Sequence, residues 1–186
     1  MSNPESNTAV YKRKVVADYE VLAKLIEAHK TLGNKVVATI GSWDLLHIGH
    51  LRYLIAARNI GDVLVVGTDS DRAIKLYKKT PLRPVVPQAE RMEMLSYQTC
   101  VDYTTLIDDV DDSGNWQFGL LKAIKPDVFI AVEDSYPEEQ RIAIKQYCDE
   151  LNILPRQAEN TSTSNFIQNT VKRHLEVLLA EATRRL

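Results

Sequence analysis

Long apolar runs are missing from this chain. No uninterrupted stretch approaches the roughly 18 residues of a membrane span, and the opening MSNPESNTAV has no basic segment followed by an apolar one. Neither a membrane anchor nor a secretory leader is expected. Cysteine is scarce: Cys100 and Cys148 are the only two, without C-x-x-C spacing, which argues against a zinc site and against a disulfide framework. A soluble cytoplasmic chain with reduced thiols is the expectation. Excess charge is lacking too, since 23 Lys and Arg against 25 Asp and Glu leave a net charge of −2. That balance gives no broad basic surface for a nucleic-acid or membrane partner and suits a small anionic ligand better. Finally, no G-x-x-x-x-G-K-[ST] loop and no G-x-G-x-x-G fingerprint occur, which disfavours phosphate-loop kinases and dinucleotide dehydrogenases.

What is there reads as one globular domain. At 186 residues and 45% hydrophobic content the chain can bury a single core, assigned to residues 11–186 behind a flexible tail at 1–10. VVADYEVLAKLIEAHKTLG has helical apolar spacing over residues 17–31 and stops at Gly33, and KVVATI is a short β-branched strand. Beyond it, Leu51, Leu54 and Ile55 form the apolar face of a second helix, and DVLVVGTD is a second buried strand. PQAERMEMLSYQ, VDYTTLI, WQFGLLKAIK, DVFIAV, PEEQRIAIKQYCDEL and NILPRQ continue the alternation of helix and strand, and residues 163–182 form a last helix. This order predicts an α/β fold with a doubly wound, mostly parallel, five-stranded Rossmann-like sheet. KKTPLRPVVPQ is a candidate active-site loop, and the acidic DDVDDSGN reads as a solvated turn.

The chemistry concentrates in GSWDLLHIGH, residues 41–50. In an open parallel sheet ligands sit beyond the carboxyl ends of the strands, where this loop is delivered. His47 and His50, three apart on the first turn of a helix, project to one side, and Gly49 lets a phosphate approach the helix start. Imidazole donors aimed at charge that grows during attack at phosphorus would lower the barrier rather than only tighten binding. Thr161, Ser162, Thr163 and Ser164 precede the last helix and supply hydroxyls and free amides for a second stretch of phosphate, besides serving as a helix cap. Lys75, Lys78, Lys79, Arg83 and Arg91 are cations that, with Mg²⁺, could neutralise the roughly four charges of a triphosphate; each lysine also suits a solvated surface. His29 and His174 read as ordinary helix-surface residues.

The motif order KVVATIGSWDLLHIGHLRYLIAARNIGDVLVVGTDSD, RPVVPQAERMEMLSYQTCVDY, KPDVFIAVEDSY and TSTSNFI resembles the cytidylyltransferase-like nucleotidyltransferases over residues 13–173. Class I aminoacyl-tRNA synthetases also use HIGH, but their Lys-Met-Ser-Lys-Ser loop is absent. Within the family the chain looks most like the heptose 1-phosphate adenylyltransferase branch, with glycerol-3-phosphate cytidylyltransferase as a close relative. The resemblance implies transfer of a nucleoside monophosphate from ATP or CTP to a phosphorylated sugar or polyol, with release of pyrophosphate, Mg²⁺ as cofactor and a homodimeric assembly. It gives His47, His50 and Lys78 catalytic roles; Gly41, Ser42, Trp43, Asp44, Gly49, Asp134 and Thr161 to Ser164 nucleotide contacts; and Asp71 and Arg91 substrate contacts. The departures are Trp43 for a phenylalanine, Ala131-Val132-Glu133-Asp134 for glycine-containing segments, and Gln157 where the cytidylyl pattern has an arginine, with Arg156 one place away. Flavin and pantetheine-phosphate adenylyltransferases are enzymatic alternatives, and the altered AVEDSY segment raises a non-catalytic nucleotide sensor as a reading of another class.

Overall fold

The computed structural model describes residues 11, 13–158 and 161–184; the expected tail at 1–10 lies outside them. Five strands, β1 (Val36–Gly41), β2 (Val63–Asp69), β3 (Tyr103–Ile107), β4 (Val128–Val132) and β5 (Glu150–Leu154), form one sheet in the order β3-β2-β1-β4-β5. Every pairing is parallel. Around it lie α1 (Tyr19–Thr31), α2 (Ile48–Arg58), α3 (Asp71–Lys78), α4 (Gln88–Ser96), α5 (Gly119–Ile124), α6 (Glu138–Ile144) and α7 (Thr163–Arg184). The doubly wound Rossmann-like class read from the sequence is the observed one.

The central strands are apolar on both faces because both are covered. Val36 and Ala38 of β1, Val65 of β2 and Phe129 of β4 pack with Leu22 and Ile26 of α1, Leu120 and Leu121 of α5 and Ile144 of α6. The alternate residues, Val37, Leu64, Val66, Val128 and Ile130, pack on the opposite face with Leu54 and Ala57 of α2 and Leu95 of α4. The ends of α1 are set locally. The Asp18 carboxylate accepts from the amide of Glu20 at 2.7 Å, and Gly33 at φ +82° ends the helix in the left-handed region that glycine enters without steric cost.

β1 has β2 on one side and β4 on the other. The chain winds outward from β1 through β3, then returns to lay β4 against the opposite edge of β1. At such a switch point the following loops diverge and leave a crevice beyond the carboxyl ends of the strands. That crevice is where residues 41–50 emerge.

Several elements differ from their expected limits. The helix expected over WQFGLLKAIK begins only at Gly119, because Trp116 pairs with Val110 in an isolated antiparallel bridge and Phe118 has φ +60°. The helix expected over PEEQRIAIKQYCDEL ends at Ile144, and β5 begins at Glu150. Helix α3, with the Ser70 hydroxyl accepting from the Ala73 amide at 2.9 Å, lies in a stretch to which the sequence pattern assigns no element. In α2 the buried face is Tyr53, Leu54 and Ala57, whereas Ile55 is 52% exposed. The correction yields a discriminating test. Leu54→Ala is expected to cost about 2–5 kcal/mol and Ile55→Ala less than about 0.5 kcal/mol, as read from urea unfolding midpoints.

Candidate active site

The loop from β1 to α2 is held by a buried ionic frame. Asp44, 0% exposed, accepts from the backbone amide of Val85 at 3.0 Å and that of Val86 at 2.9 Å, and its carboxylate pairs with Arg83. Its own carbonyl accepts from the Thr163 hydroxyl at 2.7 Å. Arg91, also 0% exposed, donates to the carbonyls of Ser42, Asp69 (2.8 Å) and Val86 (2.9 Å) and to Asp71 at 2.7 Å. Asp44, Asp71 and Arg91 are placed by these contacts in the frame behind the site. None of the three lines the cavity described below, and the donors of Arg91 and the acceptors of Asp44 are taken up in fastening loops together. Trp43 and Leu45 adopt left-handed backbone at φ +51° and +48°, a conformation that costs a non-glycine residue about 1–2 kcal/mol. Burial of the Trp43 ring and donation from its Nε1 to the Gly67 carbonyl at 2.8 Å hold the loop there.

The two histidines form a reciprocal cap on α2. The amide of Gly49 donates to Nδ1 of His47 at 3.1 Å, and the amide of His47 donates to Nδ1 of His50 at 3.4 Å. The rings stack with centroids 3.8 Å apart, and the Trp43 indole meets His50 edge-on at 5.5 Å. Burial holds both imidazoles below their ordinary range; for His50, burial, then His47 and Arg83, push the value down to about 3. Each ring is thus neutral near pH 7, and because each Nδ1 accepts a proton from backbone, each carries its own proton on Nε2. The pair presents two uncharged Nε2–H donors. Gly49 also has a packing role, since a Cβ there would lie 3.0 Å from Cε1 of His47 and 3.1 Å from Cβ of Ala158.

The start of α7 supplies the opposite wall. The Ser162 hydroxyl accepts from the Asn165 amide at 3.1 Å and so caps the helix, while the Thr163 hydroxyl is committed to Asp44. Among the described residues the hydroxyls of Thr161 and Ser164 have no hydrogen-bond partner. The amides of Thr163 and Ser164, in the first turn, have none within the helix. This end carries the partial positive charge of a helix N-terminus. The Phe166 ring lies 6.0 Å from that of His47, so the two motifs, more than a hundred residues apart, share one wall.

They enclose a cavity of about 640 Å³. Of the residues singled out in the sequence, Gly41, Ser42, Trp43, His47, Gly49, His50, Lys78, Arg83, Asp134 and Thr161 to Ser164 line it; Lys75 and Lys79 do not. Asp134 is paired with Arg156, and both line the cavity beside Gln157 and Ala158. The far end is built from residues that sequence reasoning did not select: Asp69, Tyr77, Ile107, Val110, Trp116 and Tyr136. Burial pushes the Asp69 carboxyl up to about 6, and the Tyr77 hydroxyl donates to it at 2.7 Å. Asp69 could have been sought as the polar terminus of an otherwise apolar strand. Val110 and Gly114 bring part of the acidic turn to the cavity, so that segment is more than a solvated surface. His29 is no plain surface residue either: its Nε2 meets the Tyr103 hydroxyl at 2.9 Å. No cluster of three or more His, Cys, Asp or Glu side chains among the described residues can hold a metal ion, so the donor set does not fit a resident one. No helix among them is long and apolar enough to cross a membrane.

Comparison with known proteins bears on this geometry. The sequence model described as cytidylyltransferase-like matches residues 38–173. The chain is 31% identical over 163 residues to the "Bifunctional protein HldE" of Trichlorobacter lovleyi, covering 87% of this chain and 32% of that protein. It is 37% identical over 164 residues to the protein of the same name from Helicobacter hepaticus, covering 88% and 32%. The chain therefore spans about a third of the length of these curated relatives. Among solved structures it is similar to the lipopolysaccharide core biosynthesis protein of Thermoplasma volcanium, with a TM-score of 0.52 at 24% identity over 67% of this chain and 97% of that one. It is also similar to the pantoate-beta-alanine ligase of Francisella tularensis, with a TM-score of 0.50 at 15% identity over 78% and 67%. Both likenesses are of fold.

Two measurements probe the frame and the pair. Asp44→Ala leaves Arg83 buried without its partner and is expected to cost about 3–5 kcal/mol in unfolding free energy, measured by urea denaturation. In the ligand-free protein the His50 ring is expected to remain neutral from pH 8 to pH 5, so its Cε1 proton resonance holds its position through the range in which a free imidazole titrates. In the unfolded chain this ring protonates near its ordinary 6.5, in the folded chain near 3. Its contribution to stability is therefore complete above pH 6.5 and is lost as the pH falls toward 3.

Proposed function

Because the chain is a nucleotidyltransferase of the cytidylyltransferase-like family, we propose that it transfers adenylate from ATP to a sugar 1-phosphate of the heptose class, releasing pyrophosphate. The observation that carries this reading is the convergence of two neutral Nε2–H imidazoles and one helix N-terminus on a single 640 Å³ cavity. An oxygen of the acceptor phosphate attacks the α-phosphorus, the bond from that phosphorus to the bridging oxygen breaks, and its electron pair leaves with pyrophosphate. The nucleophile already bears negative charge, so no residue need remove a proton. The chain's work is to align the groups and stabilise charge growing on the α-phosphoryl oxygens and the leaving group.

The imidazoles of His47 and His50 donate to the reacting phosphoryl group. The Thr161 and Ser164 hydroxyls and the amides at the start of α7 hold the departing phosphates, and Lys78 adds a mobile positive charge. The base lies between Val132 to Ser135 and Arg156 to Ala158. Adenine is favoured because Asp134 already engages Arg156, while Gln157 occupies the place of the cytidylyl arginine. Asp69 and Tyr77, with Trp116 and Tyr136, fit a polyhydroxyl acceptor: a carboxylate accepts its hydroxyls and aromatic faces cover its C–H surface. Mg²⁺ enters with the triphosphate as part of the substrate.

Pyrophosphate release with ATP and with CTP, over a panel of sugar and polyol phosphates, tests the assignment. The expected result is turnover with ATP and a heptose 1-phosphate, reduced about 10²- to 10³-fold by His47→Ala or by His50→Ala. Turnover undiminished in both variants refutes the catalytic roles. Tight ATP binding by calorimetry without turnover on any acceptor would establish a sensor instead.

A further inference from the structure

Helix α7 leaves the molecular body soon after its first turn. Beyond Thr163 it has no buried residue, yet Val171, Leu175, Leu178 and Leu179 are large, apolar and 46–67% exposed. Of these, Val171, Leu175 and Leu179, with Ile167 and with Leu82 of the loop that carries Arg83, line a groove of about 390 Å³. At 100° per residue, Ile167, Val171, Leu175, Leu178 and Ala182 fall on one stripe, and Lys172 and Glu176 follow one another along a single flank of it. Neither of these charges takes part in an ion pair among the described residues.

We propose that this stripe is the interface of a two-fold homodimer in which α7 packs antiparallel against α7 of a second copy. The charge order selects the arrangement. A two-fold axis crossing the helices at right angles near residues 174 and 175 sets Val171 of each copy opposite Leu178 of the other, Leu175 opposite its own symmetry mate, and Ile167 opposite Ala182. The same operation keeps like flanks together, so Lys172 of each copy meets Glu176 of the other, twice. In a parallel pair the two-fold axis runs along the helices and exchanges the flanks, so Lys172 and Glu176 of one copy lie on the opposite side of the seam from those of the other and form no such pairs. Self-complementarity of this kind is what an isologous contact requires, and flanking charges set helix orientation in this way.

The area agrees. The exposed apolar side chains leave on the order of 100 Å² each, and with the stems of the flanking residues a seam of about 600 Å² per copy results, approaching the about 800 Å² per partner of stable interfaces. It equals the upper range of the largest apolar patch on a typical monomer. The polar face mixes Lys172, Arg173 and Arg184 with Glu176 and Glu181, whereas a helix that lies on a membrane surface carries a predominantly basic one.

Sedimentation equilibrium of the whole chain tests the arrangement. The expected result is a dimer whose dissociation constant rises at least a hundredfold in Leu175→Glu and about tenfold in Lys172→Glu or Glu176→Lys. The double exchange Lys172→Glu with Glu176→Lys is expected to restore association. All these positions are exposed, so circular dichroism is expected to report an unchanged fold. A monomer at 100 times the working concentration, a dimer indifferent to Leu175→Glu, or single reversals that the double exchange does not rescue would each overturn the proposal. So would a monomeric wild type that sediments with anionic lipid vesicles.

Discussion

The Asp44 carboxylate is the contact on which the rest of the site depends. A buried charge is tolerated only when its lone pairs are satisfied, and here the amides of Val85 and Val86 and the Arg83 guanidinium do so. Those donors come from about forty residues downstream, so meeting one local requirement folds the proline-rich loop onto the end of β1. The carbonyl of the same residue then receives the Thr163 hydroxyl and seats the start of α7. Arg91 completes the frame from the other side, gathering carbonyls at 42, 69 and 86. The side chains facing the cavity rest on this scaffold of polar groups turned toward backbone.

In the proposed reaction, uncharged histidines work against a polyphosphate. A protonated imidazole would bind phosphate more strongly in the ground state, but burial under Trp43 and beside Arg83 keeps His50 neutral. Neutral donors with fixed tautomers interact modestly with resting substrate. They gain most where negative charge accumulates in transit, which is the condition for rate enhancement rather than mere affinity. The positive potential needed to gather the substrate comes instead from the helix N-terminus and from Lys78, exposed at the end of α3.

Much of this was legible in the sequence. The β-branched runs and their spacing gave the five strands and the doubly wound order, and the two motifs that line the cavity stood out because each combines residue types that a helix start uses in a short window. What local pattern could not reveal were contacts between distant residues that share no periodicity. Asp44 with Arg83, Arg91 with three carbonyls, and Asp69 with Tyr77 depend on which loops the sheet brings together. Side chains that bond backbone also look no different, in sequence, from side chains that bond ligand, so the backbone contacts of Asp44 and Arg91 were not legible. The short helices failed for another reason. In α3 and α6 tertiary packing decides the limits, and propensity over seven or eight residues is too weak to do so.

The bond from Thr163 to the carbonyl of Asp44 spans 119 positions of the polypeptide. A chain emerging from the ribosome can therefore pair its strands and bury most of its core before the start of α7 reaches the loop after β1. On the proposed reading, competence for nucleotide arrives only when the start of α7 docks. Thr163 is the one buried residue in this helix, so the junction between α7 and the body should be the first to open in native fluctuations. On the proposed reading a nucleotide bridging that junction acts as a clasp, and by mass action it protects α7 from proteolysis.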